Sequence, residues 1–164
     1  MASFKRNYAD DSNVQSYNGN VQTGRYDSER GVWVMLNIEN IVFSRVKYDV
    51  STNLKTKYPK IAFTTSDTVV KDASFPTVYV HLLPAVEIGQ DLEGKTINAG
   101  MFTFQIDVSD NQSQNRAKKV MDEIVASMKS MRFELVAFPE FQNSDSAFRS
   151  VARFRRVIGA GETL

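Results

Sequence analysis

The sequence predicts an α+β domain, with two helices packed on a largely antiparallel sheet in the order α-β-β-β-α-β-β and a flexible N-terminal arm ahead of it. Three observations predict it. Two stretches carry apolar residues at three- and four-residue spacing, one run alternates apolar and polar residues strictly, and the first thirty residues are almost free of aliphatic side chains. At 164 residues the chain is long enough to bury a core in one domain.

Within residues 1 to 30, only Phe4, Val14 and Val21 belong to the Leu, Ile, Val and Phe set. Such a segment buries too little to offset its ordering entropy. Residues 1–34 are therefore expected to be mobile unless docked on a partner, with Tyr8, Tyr17 and Tyr26 as anchors, and residues 35–164 to form the domain.

The first helix is predicted over about 38–57. Ile38, Ile41, Val42, Val46, Val50 and Leu54 form one stripe, Asn37 is placed to cap it, and Leu36 and Ile41 are placed as a staple. Tyr58-Pro59 stops it, because the residue before proline is pushed out of the helical region. Strand-like runs follow in "IAFTT", "FPTVYVHLL" and "TINAGMFTFQIDV". In the last, Phe102, Phe104, Ile106 and Val108 alternate with Thr103, Gln105 and Asp107, the period of a half-buried strand. Between the second and third lies a long connection from Pro84 to Gly94, expected to be mobile and functional. A second helix follows, with Ser109 and Gln112 as a capping box and Ala117, Val120, Met121, Ile124, Val125 and Met128 as its stripe. Two final strands, "RFELVAF" and "AFRSVARFRRVI", flank the loop "PEFQNSDS".

Composition narrows the function. Lys and Arg number 20 against 19 Asp and Glu, so no global field attracts nucleic acid or membrane. Cysteine is absent, which removes disulfides, thiol catalysis and the usual zinc fingers. The start lacks the apolar run of a signal peptide, and no stretch approaches the roughly 18 apolar residues of a membrane span. Synthesis in the cytoplasm, away from membrane, is the expectation.

Catalytic signals are equally sparse. His81 has no second histidine to share a metal or complete a relay, and alternation places it with Thr77 and Tyr79, where it reads as structural. Asp107 and Asp110 straddle the expected helix start, where carboxylates stabilise exposed backbone N–H groups. Met121, Met128 and Met131 read as core at their helical spacing. No phosphate-binding glycine loop or nucleophile elbow is present. The expectation is a protein without enzyme activity, cofactor or metal.

The strongest local signal is "RSVARFRRVI". On an extended strand Arg149, Val151, Arg153, Arg155 and Val157 share one face, while Phe148, Ala152, Phe154 and Arg156 share the other. The phenylalanine face belongs on the core, which leaves Arg149, Arg153 and Arg155 together outside. They are either solvated decoration or candidates for contact with a neighbouring subunit's acids or with passing nucleic acid, with Asp91, Glu93, Asp107 and Glu140 as candidate carboxylate partners. Ile88 and Leu92, in the long connection, are candidates for the same contacts.

A helix ending in "KYP", then "FPTVYVHLLP", a loop carrying "DLEG", "FTFQIDV", an amphipathic helix closing on "MRFELVAF" and a final "RSVARFRRVIG" succeed one another over residues 36 to 160. This succession resembles the tail terminator, or tail completion, proteins of long-tailed bacteriophages. The resemblance implies a structural virion protein at the head–tail junction, or neck, assembled as a hexameric ring that caps the tail tube and halts its polymerisation. It further implies the tail tube protein and the head connector or head completion protein as partners. Genome DNA would pass through the bore without sequence-specific binding. Residues 1–34 have no counterpart in this resemblance.

Two alternatives stand beside it. One is another head–tail connector or tail-tube subunit. The other is a nucleic-acid-binding module, since "AGMFTFQIDV" resembles the aromatic strand of an RNA-recognition domain, whose rings stack on bases. It departs from that pattern because no Lys or Arg precedes Gly100 and Met101 holds the first aromatic position.

Overall fold

The structure, a computed structural model, describes residues 24–27, 32–35, 37–66, 74–89, 97–144, 147–159 and 162–164. Strands β1 (Gly24–Asp27) and β2 (Val32–Met35) pair antiparallel as a separate two-stranded sheet. Within the stretch expected to be a mobile arm the structure thus describes one pair of strands, in keeping with the β-forming run Val32-Trp33-Val34. Tyr26 lies in β1; Tyr8 and Tyr17 lie outside the described residues, as does Leu36 of the expected staple.

Helix α1 (Ile38–Leu54) starts where the sequence places it, with the Asn37 side chain accepting from the Asn40 N–H at 3.3 Å. All six residues of its predicted stripe are buried. It stops at Leu54 rather than near 57, because the Lys57 and Tyr58 amides both turn back onto the Leu54 carbonyl ahead of Pro59.

The main sheet contains β3 (Ala62–Thr64), β4 (Thr77–Leu82), β5 (Val86–Ile88), β6 (Ala99–Asp110), β7 (Glu134–Asn143) and β8 (Phe148–Gly159). Its order is β3-β4-β6-β8-β7, with β5 also on β6, and only the β3–β4 pair is parallel. Strand β5 corrects the expectation for the connection from Pro84: Val86–Ile88 is laddered onto Ala99–Met101 and extends the sheet. Asp91, Leu92 and Glu93 lie outside the described residues.

Helix α2 (Gln114–Ser130) begins later than expected. Ser109 and Asp110 still belong to β6, and the cap is Ser113, whose hydroxyl accepts from the Arg116 N–H at 3.3 Å. Asp110 does assist the helix start, accepting from the Gln112 and Ser113 amides at 3.0 and 2.9 Å. Asp107 does not. It sits inside β6, because the strand runs on past it. The expected loop "PEFQNSDS" is also shorter: β7 continues through Pro139 to Asn143, absorbing the proline where its register against β8 is irregular.

Both helices cover one face of the sheet. Val42, Val46 and Val50 from α1 and Val120, Met121, Ile124 and Met128 from α2 bury against Val78, Val80, Phe104, Ile106, Val108, Ala152, Phe154 and Ile158. Asp49 ties the two helices together, accepting from Ser127 Oγ at 2.8 Å and from Arg45 Nε at 3.0 Å.

Candidate assembly surface

The opposite sheet face carries no helix among the described residues, and the period of two puts the arginines there. In β8, Ser150, Ala152, Phe154, Arg156 and Ile158 are buried, while Arg153, Arg155 and Val157 are exposed and Arg149 is partly so. The arginine row is therefore real, but it is not uniformly bare. Arg149 Nη2 reaches Asp107 Oδ2 at 2.8 Å, and Arg153 Nε donates to Gln105 Oε1 at 2.9 Å. Gln105 Nε2 lies 3.4 and 3.5 Å from the two Asp107 oxygens, so Arg153, Gln105, Asp107 and Arg149 form one polar chain across β6 and β8. Asp107, 5% exposed, is its buried centre.

Glu134 stands in register with Arg155, and Glu140 with Val151, between Arg149 and Arg153. Residues directly opposite on antiparallel strands share a face, so both acids belong to the open side. Gln105, Ala137, Phe138, Glu140, Gln142, Arg149, Val151 and Arg153 line a shallow groove of about 190 Å³ between β7 and β8. Phe138, 79% exposed, is the most exposed large apolar side chain described. On β4, Tyr79 and His81 stack with ring centroids 5.6 Å apart.

At the far end of this face, Val86, Met101 and Val157 sit side by side across β5, β6 and β8. Val86 and Val157 are each about half exposed, at 53% and 50%, and Ile88 stands beside them on β5, next to Ala99. Ile88 thus joins the arginines on one face, whereas the proposed role of Asp91, Leu92 and Glu93 falls outside the described residues.

The fourth arginine of the stretch does different work. Arg156 points into the core side, where its guanidinium donates to the Met131 carbonyl and pairs with the Glu162 carboxylate. It closes the end of α2 and fastens the last residues. An arginine placed among core positions was the available signal for such a pairing. Sequence reasoning did not single out Gln105, Glu134 or Phe138; of these, only Gln105 was foreshadowed, by the alternation in "FTFQIDV".

Among the described residues no three His, Asp or Glu side chains gather to hold a metal, and no helix is long and apolar enough to cross a membrane. The chain matches no protein-family model, and no curated protein matches it in sequence.

Proposed function

We propose that this is a structural virion protein, a tail terminator that forms a hexameric ring on the end of a phage tail tube. The ring stops tube polymerisation and offers the joining surface to the head connector, while genome DNA passes through without sequence-specific contacts. The observation that supports this reading is the open sheet face. It is broad and shallow, and it mixes unburied arginines, acids and half-exposed valines, which is the chemistry of a contact between proteins. From α1 to β8 the elements follow the expected order with one strand added, β5, between the second and third expected strands. The RNA-module reading needs the Phe104 ring in solvent, but that ring is fully buried.

Immunogold labelling of purified particles, imaged by negative stain, tests the proposal. Label at the head–tail junction is expected, together with rings in preparations of the isolated protein. Particles that carry the protein on the capsid or tail fibres, or lack it, would refute it.

A further inference from the structure

The open face carries its opposite charges in two rows. Arg149, Arg153 and Arg155 lie along β8, and Glu134 and Glu140 lie along the neighbouring edge strand β7. Among the described residues the side chain of Arg155 makes no ion pair or hydrogen bond, and neither do those of Glu134 and Glu140. The helix layer is a poorer complement to the arginines, since its fully exposed charges are Lys47, Lys55, Lys118, Lys119 and Lys129 against the single acid Asp122. A polyanion is a poor complement too, because the acids beside the row and Asp107 within it cancel its field.

We propose that this face docks the same face of a second copy, turned by half a turn about an axis running along the strands between β7 and β8. That rotation keeps position along the strands and exchanges β7 for β8. The partner's Glu134 then lies over Arg155, since the two residues are already in register, and the partner's Glu140 lies over Val151, between Arg149 and Arg153. Aligned sheets pack about 10 Å apart, within reach of arginine and glutamate side chains meeting halfway. The partner's Phe138 comes down on the groove beside Val151 and Arg153, where this otherwise exposed ring meets the valine and the arginine together. Only two strands overlap, so the contact is small and of the transient class.

A two-fold contact ends at two copies and does not close a polar ring, which joins different faces. The inference therefore goes beyond the ring reading. It assigns a paired state to the free protein, in which the assembly face is covered until the pair opens.

The test uses sedimentation velocity of the full chain over a concentration series, with Arg155→Glu and Glu134→Arg. Both positions are exposed, and unchanged thermal melts establish that the variants are folded. The wild type should form salt-sensitive pairs. Each variant alone should pair at least about tenfold more weakly, because each then faces like charge twice. An equal mixture of the two variants should recover pairing, since both junctions of a mixed pair are again oppositely charged. Only a contact between chains can be rescued by mixing. A wild type that stays monomeric, a mixture as weak as its components, or wild type that binds single-stranded DNA at low salt instead of pairing would each overturn the inference. Rings that form in a wild type showing no pairs at any concentration would overturn it while leaving the ring reading intact. Pairs without rings would do the reverse.

Discussion

The ring of Phe104 meets the ring of Phe133 edge to face, with centroids 5.6 Å apart and planes at 83°. Phe104 comes from the middle of β6 and Phe133 from the turn that follows α2, so the contact fastens the second helix to the centre of the sheet. Both side chains are fully buried. Phe104→Ala is expected to destabilise the domain by about 3–5 kcal/mol through lost burial and the cavity left behind. Urea unfolding followed by circular dichroism measures it, and a loss under about 1 kcal/mol would mean that this contact does not anchor the core.

Gly100 is required by its neighbour. A Cβ at this position would lie 2.7 Å from the Phe102 ring, which covers the glycine on the core side. Gly100→Ala should cost about 1–3 kcal/mol, because the ring must leave its place in a packed cluster. In a Phe102→Ala background the same change should cost much less. Equal costs in both backgrounds would show that the ring is not the obstacle.

Arg132 adopts φ 60°, the left-handed conformation that suits glycine after a helix. The Phe133 amide bonds the Met128 carbonyl and the Arg132 amide bonds that of Lys129, so the turn depends on this backbone shape. Arg132→Gly should therefore raise stability by about 1 kcal/mol by relieving the steric cost of a Cβ. A lower melting temperature would indicate that the arginine side chain contributes more than its backbone strain costs.

Asp110 is fully buried. One carboxylate oxygen accepts two amides at the start of α2, and the other lies 3.5 Å from Arg116 Nη2. Arg116 in turn covers the Tyr58 ring at 5.0 Å. Asp110→Ala is expected to cost about 1–3 kcal/mol, since it leaves two helix-start amides without their acceptor while Arg116 keeps its bond to Gln112. Asp110→Asn keeps an acceptor and should cost less. If the two variants were equally stable, the charge would have no part in the corner.

Arg153→Glu tests the assembly surface without touching the core. The side chain is exposed and among the described residues bonds only Gln105, so the melting temperature should stay within about a degree or two of wild type, as surface changes shift stability by about 0.5 kcal/mol or less. Under the tail-terminator proposal the folded variant should fail to support rings, and tails assembled with it should lose their uniform length. Normal rings with impaired genome passage would place this arginine in the bore instead.

Local chemistry determined much of this protein before any fold was known. The six-residue stripe of α1, the Asn37 cap and the two faces of β8 follow from helical and extended periods, which depend on backbone geometry within a few residues. The same logic identified the arginines as outward-facing and Phe104, Ile106 and Val108 as core. Tertiary structure decided what those faces meet. Arg149 finds Asp107 across 42 positions of sequence, and Glu134 falls opposite Arg155 only because β7 and β8 pair in that register. The start of α2 moved to Ser113, β5 emerged inside an expected loop, and β7 ran on through Pro139, each because a strand persists as far as a neighbour offers it hydrogen bonds. Which strands lie side by side, and how far they ladder, is a nonlocal outcome of burying one face under two helices, and no window of sequence contains it.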